Sequence, residues 1–199
     1  IASVFIKVHK TRIARASSYI PTPPPYNNAR CGLVNIQNDD QECFRWCMKY
    51  HQSPQKKHDD RISVLKKLED KYDYTGVNYP ATFEDIKRFE DNNAIAVFVY
   101  YINDLQDIVK ERNGNPQYRD NPVYLLRVEE GDDAHYVYVK HISRLLNKST
   151  QTGDKDKKLC PYCEKLYAEE KWERHLKVCY NENFEERVAQ LPPPNSFMT

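Results

Sequence analysis

The chain has 199 residues, of which 40% are hydrophobic and 30% charged, a composition typical of a folded globular protein and not of a disordered one. A chain of this length can bury one substantial core and still carry a small additional module. The formal net charge of +1 excludes a uniformly basic or acidic protein, and the absence of any apolar run of about 18 residues predicts no membrane-spanning segment.

Residues 1–30 are predicted to form a basic, proline-rich N-terminal arm. No acidic residue occurs in this arm, and its positive charge comes from Lys7, Lys10, Arg12, Arg15 and Arg30. The stretch SSYIPTPPPYNN contains prolines that prevent regular secondary structure. Arms of this kind bind DNA or an acidic protein surface, and a solvated tail explains the same composition equally well. The chain opens with Ile1 instead of Met, so we expect a piece of a longer protein.

Residues 31–148 are predicted to form an α+β domain in which helices precede an antiparallel sheet. Three helices are expected, at about 41–51, 60–72 and from residue 82 onward. Asp39 or Asp40 is the expected N-cap of the first helix, and Thr82 with Asp85 forms a near capping box at the start of the third.

Runs of β-branched and aromatic residues predict the strands of this domain, at 94–101, 122–128 and 134–140. Glu130-Gly-Asp-Asp133 is typical of a hairpin turn between the last two strands. The segment 103–121 is predicted to be a helical piece followed by a loop. A polar linker is expected at 149–158 and a C-terminal tail at 181–199.

Residues 159–180 are predicted to form a zinc finger whose ligands are Cys160, Cys163, His175 and Cys179. The Cys-Pro-Tyr-Cys turn presents two thiolates to one ion, and the second pair lies one turn apart on one face of a helix. Tyr167 and Trp172 between the pairs supply a small apolar core. Because so short a module cannot fold by burial alone, Zn²⁺ is expected to supply its folding free energy.

The helix of this finger mixes acidic and basic residues, whereas a helix that reads DNA is usually more basic. A structural, protein-binding or nonspecific nucleic-acid role is therefore favoured over base reading. The other three cysteines, Cys31, Cys43 and Cys47, are an odd number, which disfavours a disulfide framework. A reducing intracellular compartment, with the nucleus as the first choice, is the expected location.

Cys43 and His135 are candidates for a thiol-hydrolase pair. Cys43 lies at the predicted start of a helix, where unpaired N–H groups and the helix dipole favour a thiolate. His135 alternates with Val137 and Val139, which places it on the strand face expected to meet the core; Tyr136 and Tyr138 then take the opposite face. A helix packed on the His135 face would bring the thiol and the imidazole into contact.

Cysteine first and histidine later on a strand is the order of papain-like thiol hydrolases, and Gln37 stands six residues before Cys43, as the oxyanion glutamine does in those proteases. Asp40-Gln-Glu-Cys43-Phe44 also resembles the Asp-x-x-Cys opening of ovarian-tumour-type deubiquitinases. Asn147 is the candidate for orienting the imidazole, with His141 as a weaker choice. The alternative is that Cys43 and His135 are ordinary core residues.

Several runs of the chain resemble, in the same order, the uncharacterised proteins of Maverick/Polinton-type self-synthesising DNA transposons. These runs are Ser17–Pro21, Val34–Cys47, Tyr74–Pro80, His135–Lys140, Ser143–Leu146 and the Cys160–Cys179 finger. In that family this region precedes a protein-primed, B-type DNA polymerase, so the resemblance implies a setting near DNA replication. Relatives have Asp where this chain has His141. The acidic metal-binding motifs of a polymerase have no counterpart here.

Two functions follow as hypotheses. In the first, the chain is an accessory region of a transposon-type or virus-like replication protein, with a papain-like peptidase or deubiquitinase-like domain that acts on a polypeptide or ubiquitin-like substrate. There Cys43 attacks a carbonyl, His135 moves the proton and Gln37 stabilises the oxyanion. In the second, the chain is a non-catalytic module that binds DNA or a protein partner through its arm and zinc finger.

Overall fold

The computed structural model describes residues 15–16, 19–146 and 157–179. The chain divides into two compact units, residues 1–149 and 150–199. The helices of the first unit are α1 (Cys43–Gln52), α2 (Ile62–Leu65), α3 (Phe83–Asn93) and α4 (Ile142–Leu145), with 3₁₀ turns at Ala29–Cys31 and Pro116–Tyr118. Its strands are β1 (Arg15–Ala16), β2 (Leu33–Val34), β3 (Ala96–Ile102), β4 (Ile108–Arg112), β5 (Pro122–Glu130) and β6 (Asp133–Val139).

The strands form one six-stranded sheet in the order β1-β6-β5-β3-β4, with β2 also paired to β6. β5 and β6 form the predicted hairpin, in which Glu130 pairs with Asp133. β1 pairs with residues 133 and 134, and β2 pairs with residues 138 and 139. The two short strands therefore flank Tyr136, whose carbonyl accepts a hydrogen bond from the Cys47 thiol at 3.3 Å. The Cys47 side chain of α1 therefore lies at the part of the β6 edge that neither β1 nor β2 covers.

Helices α1 and α3 pack on one face of the sheet. Phe44 of α1 lies edge-on to Phe89 of α3, with ring centroids 5.1 Å apart, and to Tyr136 of β6 at 6.2 Å. Tyr50 meets Tyr138 in the same way at 5.1 Å. These large apolar side chains are almost fully buried, and such burial is the main favourable contribution to folding. The tyrosines of β6 therefore face the helices.

The other face of the sheet is buried as well. Its residues alternate with those of the helix-packed face, and those with at most 2% exposure are Ala96, Phe98, Tyr100, Leu126, Val128, Val137 and Val139 as well as His135. A sheet buried on both faces gives continuous apolar runs and not a polar–apolar alternation. Residues 95–100 form a continuous apolar run of this kind, and composition alone therefore predicts strand β3.

The predicted α+β class is confirmed, and three details of the prediction are wrong. The segment 103–121 contains strand β4 and a 3₁₀ turn instead of a helical piece. The sheet is mixed, since β3 and β5 are parallel and β1 and β6 are parallel. The second helix is the single turn Ile62–Leu65 and not a helix over 60–72, although Ile62, Leu65 and Leu68 of that stretch do pack on the core.

The capping box at the start of α3 is confirmed. Thr82 accepts from the Asp85 N–H at 3.3 Å, and the Asp85 carboxylate accepts from the Thr82 N–H at 3.0 Å. Asp85 also accepts from the Asn78 N–H at 3.0 Å and from Arg88 at 2.9 Å. Burial raises the pKa of Asp85, but these hydrogen bonds outweigh it and bring the pKa to about 2. The carboxylate joins the loop before α3 to the first turn of the helix.

Replacing Asp85 by Asn should therefore destabilise the protein in a pH-dependent way. Because the folded-state pKa lies below the ordinary value, the carboxylate stabilises the fold above about pH 4, and this contribution is lost as pH falls through about 2. We expect a loss of about 1–2 kcal/mol at neutral pH in urea unfolding, shrinking towards zero near pH 2. A difference that stays constant with pH would contradict this assignment.

The second unit contains β7 (Lys157–Leu159), β8 (Leu166–Ala168) and α5 (Glu169–Cys179). β7 and β8 form an antiparallel hairpin in which Leu159 pairs with Leu166. α5 follows β8 directly and begins with Glu169 and Glu170, acidic residues that interact favourably with the positive end of a helix. The unit is thus a small hairpin followed by one helix.

Candidate metal centre and the cysteine–histidine region

The turn between β7 and β8 carries two of the predicted metal ligands. The Cys160 N–H donates to the Lys165 carbonyl at 2.9 Å, and the Glu164 N–H donates to the Cys160 carbonyl at 2.8 Å. Glu164 has a φ of +57°, the left-handed conformation that reverses the chain direction. Cys160 and Cys163 are held on this tight turn, so both thiols can face one point.

All four predicted ligands come together. The nearest donor atoms of Cys160, Cys163, His175 and Cys179 lie within 4.8 Å of one another. The Cys160 and Cys179 sulfurs are 3.8 Å apart, and the Cys163 sulfur is 3.6 Å from Nε2 of His175. His175 and Cys179 project from the same side of α5, as their spacing predicts. Three thiols and one imidazole at these distances can hold a metal ion.

Aromatic side chains support this cluster. The Tyr167 ring stacks on the His175 ring, with centroids 3.6 Å apart and planes 15° from parallel, and its hydroxyl lies 3.7 Å from the Cys163 sulfur. Groups that contact ligands in this way fix the orientation of an imidazole and tune a thiolate. The Trp172 ring is tilted against the His175 ring, with centroids 6.1 Å apart, and the Lys158 ammonium lies 5.7 Å from the centre of the Trp172 ring. Tyr167 and Trp172, which were predicted to form a small apolar core, therefore contact the side chains of the ligands.

The exposed surface of α5 has no dominant charge. Its exposed charged side chains are three acidic and three basic ones: Glu169, Glu170, Glu173, Lys171, Arg174 and Lys177. Glu169 also forms an ion pair with Lys158 at 2.7 Å, although both groups are well exposed and such pairs contribute little stability. A surface of this kind lacks the concentration of positive charge that binds phosphates.

Cys43 begins α1, as the sequence predicts, but the expected cap is absent. Neither Asp39 nor Asp40 is the N-cap, which is Glu42 without a side-chain cap hydrogen bond. Asp40 instead accepts from the Trp46 indole at 2.9 Å and from the Glu42 N–H at 2.9 Å. The carboxylate is thereby used to join the loop before α1 to the second turn of the helix.

His135 does not lie on the strand face that the sequence predicted. α1 packs on Tyr136 and Tyr138, so the side chain of His135 leaves the strand on the opposite face. There Nε2 lies 3.0 Å from Oδ1 of Asn35, and the Tyr19 ring meets the imidazole edge-on at 6.1 Å. Nδ1 is buried without a hydrogen-bond partner among the described residues. The helix thus packs on the face that the aromatic residues occupy.

The predicted pairing of the Cys43 thiol with the His135 imidazole is not formed in this structure. Burial raises the pKa of the Cys43 thiol to about 11, despite hydrogen bonds from the Tyr136 and Phe44 backbone N–H groups. Burial likewise lowers the pKa of His135 to about 4. Both groups are therefore neutral at pH 7, and no hydrogen bond joins the sulfur to the imidazole in the described part of the chain.

The two remaining catalytic candidates have different outcomes. Gln37 is exposed and lines a cavity of about 400 Å³ together with Asn35 and the stretch 60–63. Asn147 lies outside the described residues. The histidine partner that the structure does show, Asn35, was missed because it acts across 100 positions of sequence and follows a two-residue strand. No local pattern marks such a residue.

Comparisons of the chain with protein-family models, with curated proteins and with solved structures returned no match. Among the helices of the described ranges, none is both long enough and apolar enough to cross a membrane.

Proposed function

We propose that this chain is a zinc-dependent protein-interaction module within a replication protein of a mobile or virus-like element. The observation that carries the proposal is the convergence of three cysteines and one histidine on a single point in a ββα unit. A unit of this size gains its folding free energy from the metal and presents one exposed helix.

The donor distances support zinc as the metal. A tetrahedral ion with Zn–S bonds of about 2.3 Å and a Zn–N bond of about 2.0–2.1 Å requires S···S near 3.8 Å and S···N near 3.5 Å. The corresponding distances here are 3.8 Å between Cys160 and Cys179 and 3.6 Å between Cys163 and His175. Soft thiolate donors in a tetrahedral arrangement favour zinc over calcium or magnesium. Because all four positions are protein ligands, the ion would be structural.

The charge of α5 favours a protein over DNA as the partner of the finger. Three acidic side chains accompany the three basic ones on the exposed helix, and Glu169, Glu170 and Glu173 would approach phosphates in any major-groove docking. A mixed surface instead suits a protein partner with complementary charges. The basic residues of the arm that precede residue 15 lie outside the described part of the chain, so the DNA-binding alternative for the arm depends on composition alone.

The resemblance to Maverick/Polinton-type proteins supports the setting near DNA replication. All six cysteines are unpaired with one another, which agrees with a reducing compartment such as the nucleus. The setting near DNA replication and the zinc finger are independent parts of the proposal, because metal binding by the finger requires only its four ligands.

Surface substitutions that spare the metal test the partner class. Glu170→Lys with Glu173→Lys makes α5 basic without touching a ligand, and Lys171→Glu with Lys177→Glu makes it acidic. We expect the unaltered full chain to bind a duplex oligonucleotide no better than about 10⁻⁴–10⁻⁶ M at physiological salt, the nonspecific range, with no change on acidification of the helix.

Fluorescence anisotropy over a salt series measures this binding. The basic variant is the matched control, since it should gain affinity and a steeper salt dependence if the assay detects contacts by α5. Tight, salt-sensitive binding by the unaltered chain that the acidic variant loses would replace the protein-interaction proposal by DNA binding.

A further inference from the structure

The hairpin between β3 and β4 ends in a turn that presents Leu105 to solvent. Leu105 is 75% exposed, more than any other large hydrophobic side chain of the described residues. The Asn103 carboxamide oxygen accepts from the Leu105 and Asp107 N–H groups, both at 2.9 Å, and the Asn103 N–H donates to the Asp107 carbonyl at 3.0 Å. These hydrogen bonds fix the turn, so binding through Leu105 would cost little ordering entropy.

A cavity of about 380 Å³ lies beside this turn. Its lining combines polar groups with the apolar or aromatic side chains of Tyr19, Pro21, Tyr26 and Leu33. The Tyr26 hydroxyl donates to the Gln106 carbonyl at 2.6 Å, and Gln106 is the chain neighbour of Leu105. The exposed leucine and the cavity therefore lie next to each other on one surface of the first unit.

Two large hydrophobic side chains are exposed among the described residues, and both belong to this surface. Tyr19, which is 36% exposed, lines the cavity, and Leu105 projects beside it. Isolated exposed apolar side chains are ordinary on protein surfaces, whereas apolar groups collected at one place mark interaction sites. The projecting leucine and the adjoining cavity therefore indicate an interface.

The charges next to the leucine and next to the cavity have opposite signs. Asp104 precedes Leu105 and Asp107 follows it by two residues, and both carboxylates are on exposed residues. Arg30 follows the cavity residue Ala29, is exposed and has no ion-pair partner in the described part of the chain. A surface that has acidic groups around its projection and a basic group beside its cavity is complementary to itself.

We propose that the chain forms a weak homodimer in which Leu105 of each copy enters the cavity next to Tyr26 of the other. In a two-fold contact one surface meets itself, so a second copy supplies a matching projection and cavity by symmetry. Asp104 and Asp107 of one copy then face Arg30 of the other. The contact belongs to the weak, transient class, because stable interfaces bury about 1,200–2,000 Å². This dimer is independent of the zinc finger.

Sedimentation velocity of the full zinc-loaded chain, from about 1 µM to about 1 mM, tests the proposal. We expect the weight-average sedimentation coefficient to rise with concentration from that of a monomer towards that of a dimer. Leu105→Ser removes the apolar projection and Ala29→Trp fills the cavity, so each should raise the dimer dissociation constant at least about tenfold. Lys87→Ala, on the exposed side of α3, is the control and should leave this constant unchanged.

A mixture of the two variants tests the two-fold geometry. Both contacts are damaged in a pair of Leu105→Ser copies and in a pair of Ala29→Trp copies. A mixed pair keeps one intact contact, since the leucine of the Ala29→Trp copy can enter the open cavity of the Leu105→Ser copy. The mixed dimer should therefore have a dissociation constant at least about threefold lower than either variant alone, if the two contacts contribute equally.

Charge reversal tests the contact between the acidic turn and the basic residue. Arg30→Glu alone should weaken the dimer, and so should Asp104→Lys combined with Asp107→Lys. The variant that carries all three changes exchanges both signs and should restore the dissociation constant of the unaltered chain. Added salt should weaken the unaltered dimer, because these charges are exposed and therefore screened.

The proposal is overturned if the unaltered chain stays monomeric up to about 1 mM, or if its dimer is unaffected by Leu105→Ser and by Ala29→Trp. Circular dichroism establishes folding of each variant. Should a variant fail to fold, the Leu105 methyl shifts of the unaltered chain decide, since shifts that ignore concentration exclude the contact. Failure of the finger to bind zinc would overturn the proposed function and leave this dimer unchanged, whereas a dimer that disappears on chelation of the metal would belong to the finger.

Discussion

Removing the metal, or one of its thiolates, is expected to unfold the ββα unit and to leave the sheet domain folded. The buried apolar residues among the described part of this unit are only Pro161, Leu176 and the Cys160 ligand itself, so burial cannot balance the conformational entropy of ordering it. Structural zinc supplies about 10–16 kcal/mol at neutral pH, far more than the remaining contacts.

Cys160→Ser is the sharpest variant because Cys160 lies at the centre of the unit with no exposed surface. Its circular dichroism should lose the helical signal of α5, and zinc content measured after gel filtration should fall from about one ion per chain to near zero. Cys31→Ser, at a half-buried cysteine of the other unit, is the matched control and should retain both. A Cys160→Ser protein with normal zinc and an intact α5 would contradict the assignment.

Replacing Glu90 should cause the largest loss of stability in the sheet domain. Glu90 is 1% exposed and forms a two-point ion pair with Arg112, with N···O distances of 2.6 and 3.0 Å. The same carboxylate accepts from the Val97 N–H at 2.6 Å and the Asn115 N–H at 3.0 Å. It therefore joins α3, the start of β3 and the loop after β4 in one buried network.

Glu90→Ala leaves the Arg112 guanidinium and two backbone donors without their acceptor. Breaking one partner of a buried pair costs about 3–5 kcal/mol, because the remaining charge stays desolvated. We expect a loss of this size in the free energy of unfolding in urea. Lys87→Ala, on the exposed side of the same helix, should stay within about 0.5 kcal/mol. A loss below about 1 kcal/mol for Glu90→Ala would show that water replaces the carboxylate.

Local chemistry explains which elements were predictable. The Thr82–Asp85 capping box and the Glu130–Asp133 hairpin depend on residues within a few positions of one another, and both are confirmed. β4 was missed since Ile108–Arg112 mixes charged with apolar residues, all of them half-buried. Its strand conformation comes from pairing with β3 and not from propensity.

The side of the sheet on which His135 lies also depends on tertiary packing and not on local sequence. Alternation along β6 correctly separated His135 from Tyr136, but it could not tell which set faces α1 because both faces are buried. The aromatic residues took the helix side, where Phe44 and Tyr50 meet them edge-on. Asn35 was invisible for a related reason, since its bond to His135 exists only once β2 has paired with β6.

From sequence alone, the metal cluster could be assigned residue by residue, because its two ligand pairs sit on a turn and a helix whose spacing is dictated by backbone geometry. The environment of the Cys43 thiol was decided only by tertiary structure. Burial raises the pKa of this thiol and the Tyr136 backbone lowers it, and both effects arise because α1 packs against β6, which lies far away in sequence. Backbone geometry acts over a few residues, whereas desolvation depends on every element packed around a group.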